Sequence, residues 1–208
     1  MEYINGPTLS LYLMSQPLSL TKKKFDEVFN FIFYCKKNSL IKCSKEDFLK
    51  KIEDLKNKNI FKKKFYKNIF KILKNHNWEN VEKSKSHGDM SLENIIIKNE
   101  TIKFIDISDN FIDSYKLDIS KIMFDLISFW SFRNASLKID TLKIYSLKVY
   151  LLEVLRKKLS KNDLEDIKML IILDFLRVLY YSSKKEEINL LKNKLKNFYD
   201  NINNPLRW

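Results

Sequence analysis

The stretch His87-Gly88-Asp89-Met90-Ser91-Leu92-Glu93-Asn94 and, twelve residues after its Asn, the pair Ile105-Asp106 hold residue types suited to phosphoryl transfer. An aspartate can take the proton of an attacking hydroxyl, and an asparagine five positions on, with a later aspartate, can offer hard oxygen ligands to Mg²⁺. Asp89, Asn94 and Asp106 stand in that order. Taken singly, each is an ordinary residue of turns, caps or strand starts. The residues between them add a physical reason. Asn94 to Ile97 and Thr101 to Ile107 are β-branched and apolar, and Lys98-Asn99-Glu100 supplies turn chemistry, so a short hairpin is predicted. One hairpin then places Asp89 in the loop before its first strand, Asn94 at the start of that strand and Asp106 at the end of the second. Asp109, three residues beyond Asp106, is a solvated turn residue or a further metal ligand.

The order and spacing resemble a kinase catalytic loop, with two departures: Gly88 stands where protein kinases carry Arg, and no Gly follows Asp106. His-Gly-Asp, an Asn at this spacing and a strand ending Ile-Asp are similar to the aminoglycoside phosphotransferase and choline kinase superfamily. Glu2-Tyr3-Ile4-Asn5-Gly6-Pro7-Thr8-Leu9 resembles the hinge between the two lobes of that family. Leu117-Asp118-Ile119 resembles the Asp-Leu-Ala after its metal loop, so the likeness runs from Met1 to about Leu126.

The resemblance implies an α+β, mostly helical chain: a kinase-like C-terminal lobe with a short β-hairpin at the catalytic loop. Residues 1–8 would be a hinge-like segment and 9–208 a single helical lobe. It implies ATP and Mg²⁺ as cofactors, Asp89 as catalytic base, His87 as the loop's brace, Asn94 and Asp106 as metal ligands, and backbone groups of Glu2 and Ile4 as contacts to adenine. The acceptor would be a small-molecule hydroxyl on a sugar, an aminoglycoside, choline or another amino alcohol. Under this alignment the sequence begins where an N-terminal lobe would end, so a separately encoded N-terminal lobe is a candidate partner. With two glycines in all, Gly6 and Gly88, the chain cannot build a phosphate-cradling Gly-rich loop. A degenerate or truncated kinase-like protein that binds nucleotide or regulates without turnover is therefore the alternative.

The helices must hold this loop in place. Thr21 is expected to cap a helix bearing Phe25, Val28, Phe29 and Ile32, and Ser44 with Asp47 resembles a capping box ahead of Phe48, Ile52 and Leu55. Phe61, Phe65, Ile69, Ile72 and Leu73 mark a third helix, giving three before the loop. After the hairpin, Asp118 is expected to cap a helix running through Ile119, Ile122, Met123, Leu126, Ile127 and Trp130 and to steady the loop. Three further helices are predicted at about 140 to 159, 163 to 181 and 185 to 200. The middle one is apolar nearly all round and is read as the buried axis, with Asp174 and Arg177 paired at i, i+3. Trp78, Trp130 and the phenylalanines are assigned to the core.

Composition bounds the alternatives. The 208 residues, 45% of them hydrophobic, suffice for one core, and no Gly/Ser-rich or repeated segment divides the chain. The formal charge of +13 raises a basic helical nucleic-acid-binding protein as a further alternative. Its support is weak, because the excess is lysine scattered over several helices, with arginine only at 133, 156, 177 and 207. Cys35 and Cys43 match no metal or redox spacing and read as free thiols. No signal peptide or membrane span is evident, and a cytoplasmic location is expected.

Overall fold

The computed structural model describes residues 4–37, 41–134 and 139–202. Its elements are α1 (Leu9–Ser15), α2 (Leu18–Lys37), β1 (Ile41–Lys42), α3 (Lys45–Lys56), α4 (Lys64–Asn75), β2 (Glu82–Lys83), β3 (Ile95–Lys98), β4 (Thr101–Phe104), α5 (Tyr115–Ser128), α6 (Thr141–Lys158), α7 (Lys161–Tyr181) and α8 (Lys185–Asp200). Short 3₁₀ turns sit at Asn59–Phe61, Trp78–Asn80 and Trp130–Phe132. The chain is thus α+β and mostly helical, with two small antiparallel sheets, β1 with β2 and β3 with β4.

The expected hairpin forms. Ile95 pairs with Phe104 and Lys98 with Thr101, leaving Asn99 and Glu100 as a two-residue turn with φ of 47° and 60°. Positive φ at both positions matches the right-handed twist of the strands, as in a type I′ turn; Asn tolerates it, whereas Glu100 adopts it at some cost. Residues before α1 lie along β3: Ile97 donates its N–H to the Pro7 carbonyl at 2.9 Å, and Thr8 bridges Ile96. A Cβ on Gly6 would stand 2.3 Å from the Ile97 carbonyl oxygen, so this approach requires glycine.

Helix ends differ from the sequence expectations in instructive ways. Helix α1 was not foreseen, so four helices rather than three precede the loop; Thr8 caps α1, and Gln16 leaves it in an extended conformation before Pro17. Thr21 is not a cap. Helix α2 starts at Leu18, and the Thr21 hydroxyl donates to the Pro17 carbonyl at 3.1 Å. Ser44 does precede α3, but its hydroxyl donates to Glu46 at 2.6 Å and closes no box with Asp47. A complete capping box occurs instead at Ser160 and Asp163, at the start of α7. Asp118 is likewise not the cap of α5; Ser114 is, and Asp118 lies buried within the first turn.

Helix α5 ends at Ser128 because Phe129 turns left-handed, φ 63°, the geometry a glycine usually supplies at this place. Trp130 therefore leaves the helix whose stripe it was expected to continue, and it packs partly buried against the edge of the core. Trp78 is core as expected, fully buried and stacked on Phe48 at 4.3 Å.

The core is one contiguous cluster drawing on every helix. Phe25, Val28, Phe29 and Ile32 of α2 and Phe48, Ile52 and Leu55 of α3 are buried, as their spacing predicts. Helix α7 is the expected axis, with Ile167 through Leu176 all buried, and α5 packs against it more extensively than any other pair of helices. Fully burying each such Leu, Ile or Phe is worth about 1.5–3 kcal/mol. Both cysteines are buried, and burial pushes the Cys43 thiol up to about 11, so it stays protonated at neutral pH. Among the described residues no helix is long and apolar enough to cross a membrane.

Candidate active site

Helix α5 is buried on nearly every side, yet it carries Asp118, Lys121 and Asp125 at the i, i+3, i+7 spacing of a single face. That face holds the loop from His87 to Asn94. The two Asp118 oxygens accept the backbone N–H groups of His87 at 2.8 Å and Gly88 at 3.0 Å. Two turns on, Asp125 Oδ2 accepts the N–H of Leu92 at 2.7 Å and the Ser131 hydroxyl at 2.5 Å. The loop is pinned at both ends, and Met90 and Leu92 are fully buried between the pins. Burial pushes both carboxyls up to about 7, and their N–H and hydroxyl donors limit the rise.

Gly88 sits at φ 81°, and a Cβ there would fall 2.0 Å from the Ser108 carbonyl oxygen. The close approach is made by two further contacts: Ser108 donates its N–H to the His87 carbonyl at 3.1 Å, and the Asn110 amide donates to the Gly88 carbonyl at 2.7 Å. Glycine is therefore dictated by backbone conformation and by the segment packed over it.

His87 is buried, and its Nδ1 accepts the Asp89 N–H at 3.3 Å, which places the proton of the neutral ring on Nε2. Nε2 has no hydrogen-bond partner of good geometry. Burial lowers the imidazole pKa; the Ile105 carbonyl and the charges of Asp89 and Asp106 oppose that without offsetting it. A neutral, enclosed His87 holds the turn at Asp89 through Nδ1.

Asp89 has a different setting. Its side chain is 41% exposed and borders a cavity of about 820 Å³ lined also by Ser108, Asp109, Asn110, Trp130 and Arg177. Oδ1 faces Lys121 and Arg177, each at 3.4 Å, while Oδ2 accepts from the Asn94 amide at 3.3 Å. Lys121 is itself buried and anchored on Asp174 at 2.8 Å; burial opposes its charge, but Asp174 and Asp89 hold the ammonium protonated. Arg177 reaches Asp174 only at 4.0 Å, so the expected i, i+3 pair exists but is the weaker partnership of that aspartate.

Asn94 uses its amide nitrogen on the Asp89 carbonyl and carboxylate, leaving Oδ1 without a donor among the described residues. Its carbonyl accepts the Ile105 N–H at 3.0 Å, extending the β3–β4 ladder by one pair and setting Asp106 beside it. Asp106, exposed and left-handed at φ 56°, has neither a hydrogen bond nor an ion pair among the described residues. Asn94 Oδ1 and the Asp106 carboxylate, without protein partners among the described residues, are hard-oxygen groups of the kind Mg²⁺ takes. No group of three or more His, Cys, Asp or Glu side chains that could hold a metal occurs among the described residues. Asp109 borders the cavity, exposed and without a partner among the described residues.

His87, Asp89, Asn94 and Asp106 are thus brought together at one end of the hairpin. Of the adenine contacts, Glu2 lies outside the described residues. Ile4 is half-buried beyond the segment paired with β3, and its backbone groups make no hydrogen bond among the described residues. Sequence reasoning missed Lys121 and Asp125, and it gave Arg177 a pairing with Asp174 but not its contact with Asp89. The available signal was a row of charges on the apolar helices α5 and α7, where an unpaired charge would be expensive. A separate cavity of about 570 Å³ between α5, α6 and α8 contains none of these groups. Comparison with family models, curated proteins and solved structures finds no match to this chain.

Proposed function

We propose that this chain forms a kinase-like C-terminal lobe of the aminoglycoside phosphotransferase and choline kinase type, acting with ATP and Mg²⁺ on the hydroxyl of a small molecule. The observation that carries the reading is the contrast along one loop. Its backbone is pinned by buried carboxylates, while the Asp89 carboxylate is aimed by Asn94 at an open cavity and Asp106 stands unpartnered beside it.

Asp89 accepts a hydrogen bond from the acceptor hydroxyl and takes its proton as the oxygen bonds to the γ-phosphorus and the bond from that phosphorus to ADP breaks. Lys121 and Arg177 hold one oxygen of Asp89 and Asn94 holds the second, so orientation is set before the acceptor arrives. Asn94 Oδ1 and the Asp106 carboxylate would hold the metal ion, which neutralises charge on the phosphate oxygens. His87 and Gly88 keep the loop's shape, and the free backbone groups of Ile4 suit the edge of a purine.

A second reading, nucleotide binding without turnover, is favoured by one fact. Both glycines are committed, Gly6 against β3 and Gly88 in the loop, so these residues provide no Gly-rich cover over the phosphates. Thermal unfolding with and without Mg·ATP, alongside ADP release over a panel of hydroxyl acceptors, separates the two. Ligand at a hundredfold excess over Kd stabilises by about 2.7 kcal/mol. Asp106→Asn is the control, because Asn tolerates the left-handed backbone while removing the charge. A shift lost in Asp106→Asn together with acceptor-dependent ADP supports the transferase; the shift without ADP supports the second reading; no shift from a folded chain refutes both.

A further inference from the structure

The cavity beside Asp89 gathers the side chains best suited to grip an anion. Only four of the 39 lysines and arginines are arginine, and two of those four, Arg133 and Arg177, line this one cavity together with Lys51 and Lys184. With Asp89 reserved for the hydroxyl, Asp109 and Glu187 are the acids set against them, and Glu187 already pairs with Lys184 at 3.1 Å.

The cations nearest the loop have unused donors. Arg177 meets Asp89 and Asp174 through Nη2 alone, so its Nε and Nη1 have no partner among the described residues. Arg133 uses Nη1 on Glu93 at 2.9 Å and on the Trp130 carbonyl at 2.8 Å, and its guanidinium lies 4.3 Å from the centre of the Trp130 ring. These contacts fix its plane, and its Nε and Nη2 have no partner among the described residues. The Lys51 ammonium stands 5.9 Å from the centre of the Phe111 ring and has no ion pair among the described residues. A guanidinium presents a fork of N–H donors that matches a carboxylate or phosphate. The same arrangement works against a cationic acceptor. Of the three aromatic residues lining the cavity, Trp130 lies under the Arg133 guanidinium and Phe111 has the Lys51 ammonium 5.9 Å from its centre, while the exposed Tyr181 packs edge-on against Tyr180.

Resting on the reading that Asp89 receives a small-molecule hydroxyl, we propose that the acceptor also carries an anionic group, a carboxylate or phosphate, gripped by Arg177 and Arg133 with help from Lys51. The acceptor class is then a hydroxy acid or a phosphorylated polyol, and the four cations lining the cavity disfavour a cationic acceptor such as an aminoglycoside or choline.

The test uses matched probes at constant ionic strength. Thermal unfolding is followed with gluconate, glucose and glucosamine, and with glycerol 3-phosphate against glycerol, first without nucleotide and then with Mg·ATP while ADP is measured. The expected result is stabilisation by at least one anion and by none of the neutral or cationic counterparts. Arg133→Gln and Arg177→Gln should each weaken that binding about tenfold or more, and Lys148→Gln, in the separate cavity, should leave it unchanged. Arg177→Gln also releases Asp89, so Arg133→Gln, which does not touch Asp89, is the decisive variant. The proposal is overturned if no anion stabilises the chain, if glucose or glucosamine matches gluconate, or if Arg133→Gln binds the anion as well as the parent. Anion binding lost in Arg133→Gln but without ADP from any probe would keep the anionic pocket and remove the transferase reading. ADP release greatest with glucosamine would do the reverse.

Discussion

The two sides of the loop from His87 to Asn94 employ aspartates in opposite ways. On the α5 side, Asp118 and Asp125 are buried; both Asp118 oxygens accept backbone N–H groups and Asp125 Oδ2 accepts an N–H and a hydroxyl, so they act as fixtures. On the other side, Asp89 is half-exposed at the cavity among two cations and an amide, and Asp106 is exposed with no partner among the described residues. Burial and the identity of the donors separate the roles: a carboxylate whose oxygens are consumed by the backbone has nothing left for a substrate, whereas one facing solvent does.

The largest effect expected from this contrast is Asp89→Ala. Under the proposed function it reduces phosphoryl transfer by about 10²–10⁴-fold while leaving the melting temperature nearly unchanged; steady-state ADP production and a thermal melt check both halves. An equal loss of stability would mean that Asp89 belongs with the fixtures. Gly88→Ala comes next, at about 3 kcal/mol or more in urea unfolding, since φ 81° and the 2.0 Å approach to the Ser108 carbonyl both oppose a side chain. Asp118→Ala orphans two buried N–H groups and should cost about 2–3 kcal/mol, with increased hydrogen exchange at His87 and Gly88.

The pH dependence sharpens the comparison further. A carboxyl raised to about 7, as Asp118 and Asp125 are, adds stability that is complete below pH 4 and lost as pH rises through 7. Asp163 behaves oppositely. Burial pushes it up, but Lys116 at 2.6 Å and the cap at Ser160 outweigh burial and hold it at about 2. Its contribution of about 2 kcal/mol is present above pH 4 and disappears between pH 4 and 2. Denaturant midpoints from pH 2 to 8 should therefore rise and then decline, and Asp118→Asn should flatten the decline while sparing the acid limb. Asp106→Asn is the smallest effect on folding, within about 0.5 kcal/mol, and its signature is a lost response to Mg·ATP.

Much of this was legible in the chain. The hairpin followed from β-branched runs around Asn99, and the last three helices, expected at about 140 to 159, 163 to 181 and 185 to 200, run from Thr141 to Lys158, Lys161 to Tyr181 and Lys185 to Asp200. Long apolar stripes announce themselves because many residues agree on one period. Helix ends were less legible. No glycine marks Phe129, and a hydroxyl such as Thr21 serves equally as a cap or as a donor to the preceding turn. Two-residue strands such as β1 and β2 leave too little pattern to detect.

The sequence by itself determined the order His87, Asp89, Asn94, Asp106 and the hairpin that gathers them, because local spacing and turn chemistry suffice to place residues within about twenty positions of one another. Only the tertiary structure decided which aspartates serve the fold and which face the cavity. Asp118 and Asp125 meet the loop from about thirty residues away, and Arg177 reaches Asp89 across 88. Such pairings depend on how α5 and α7 pack, and no local period in the chain encodes the partner of a buried charge.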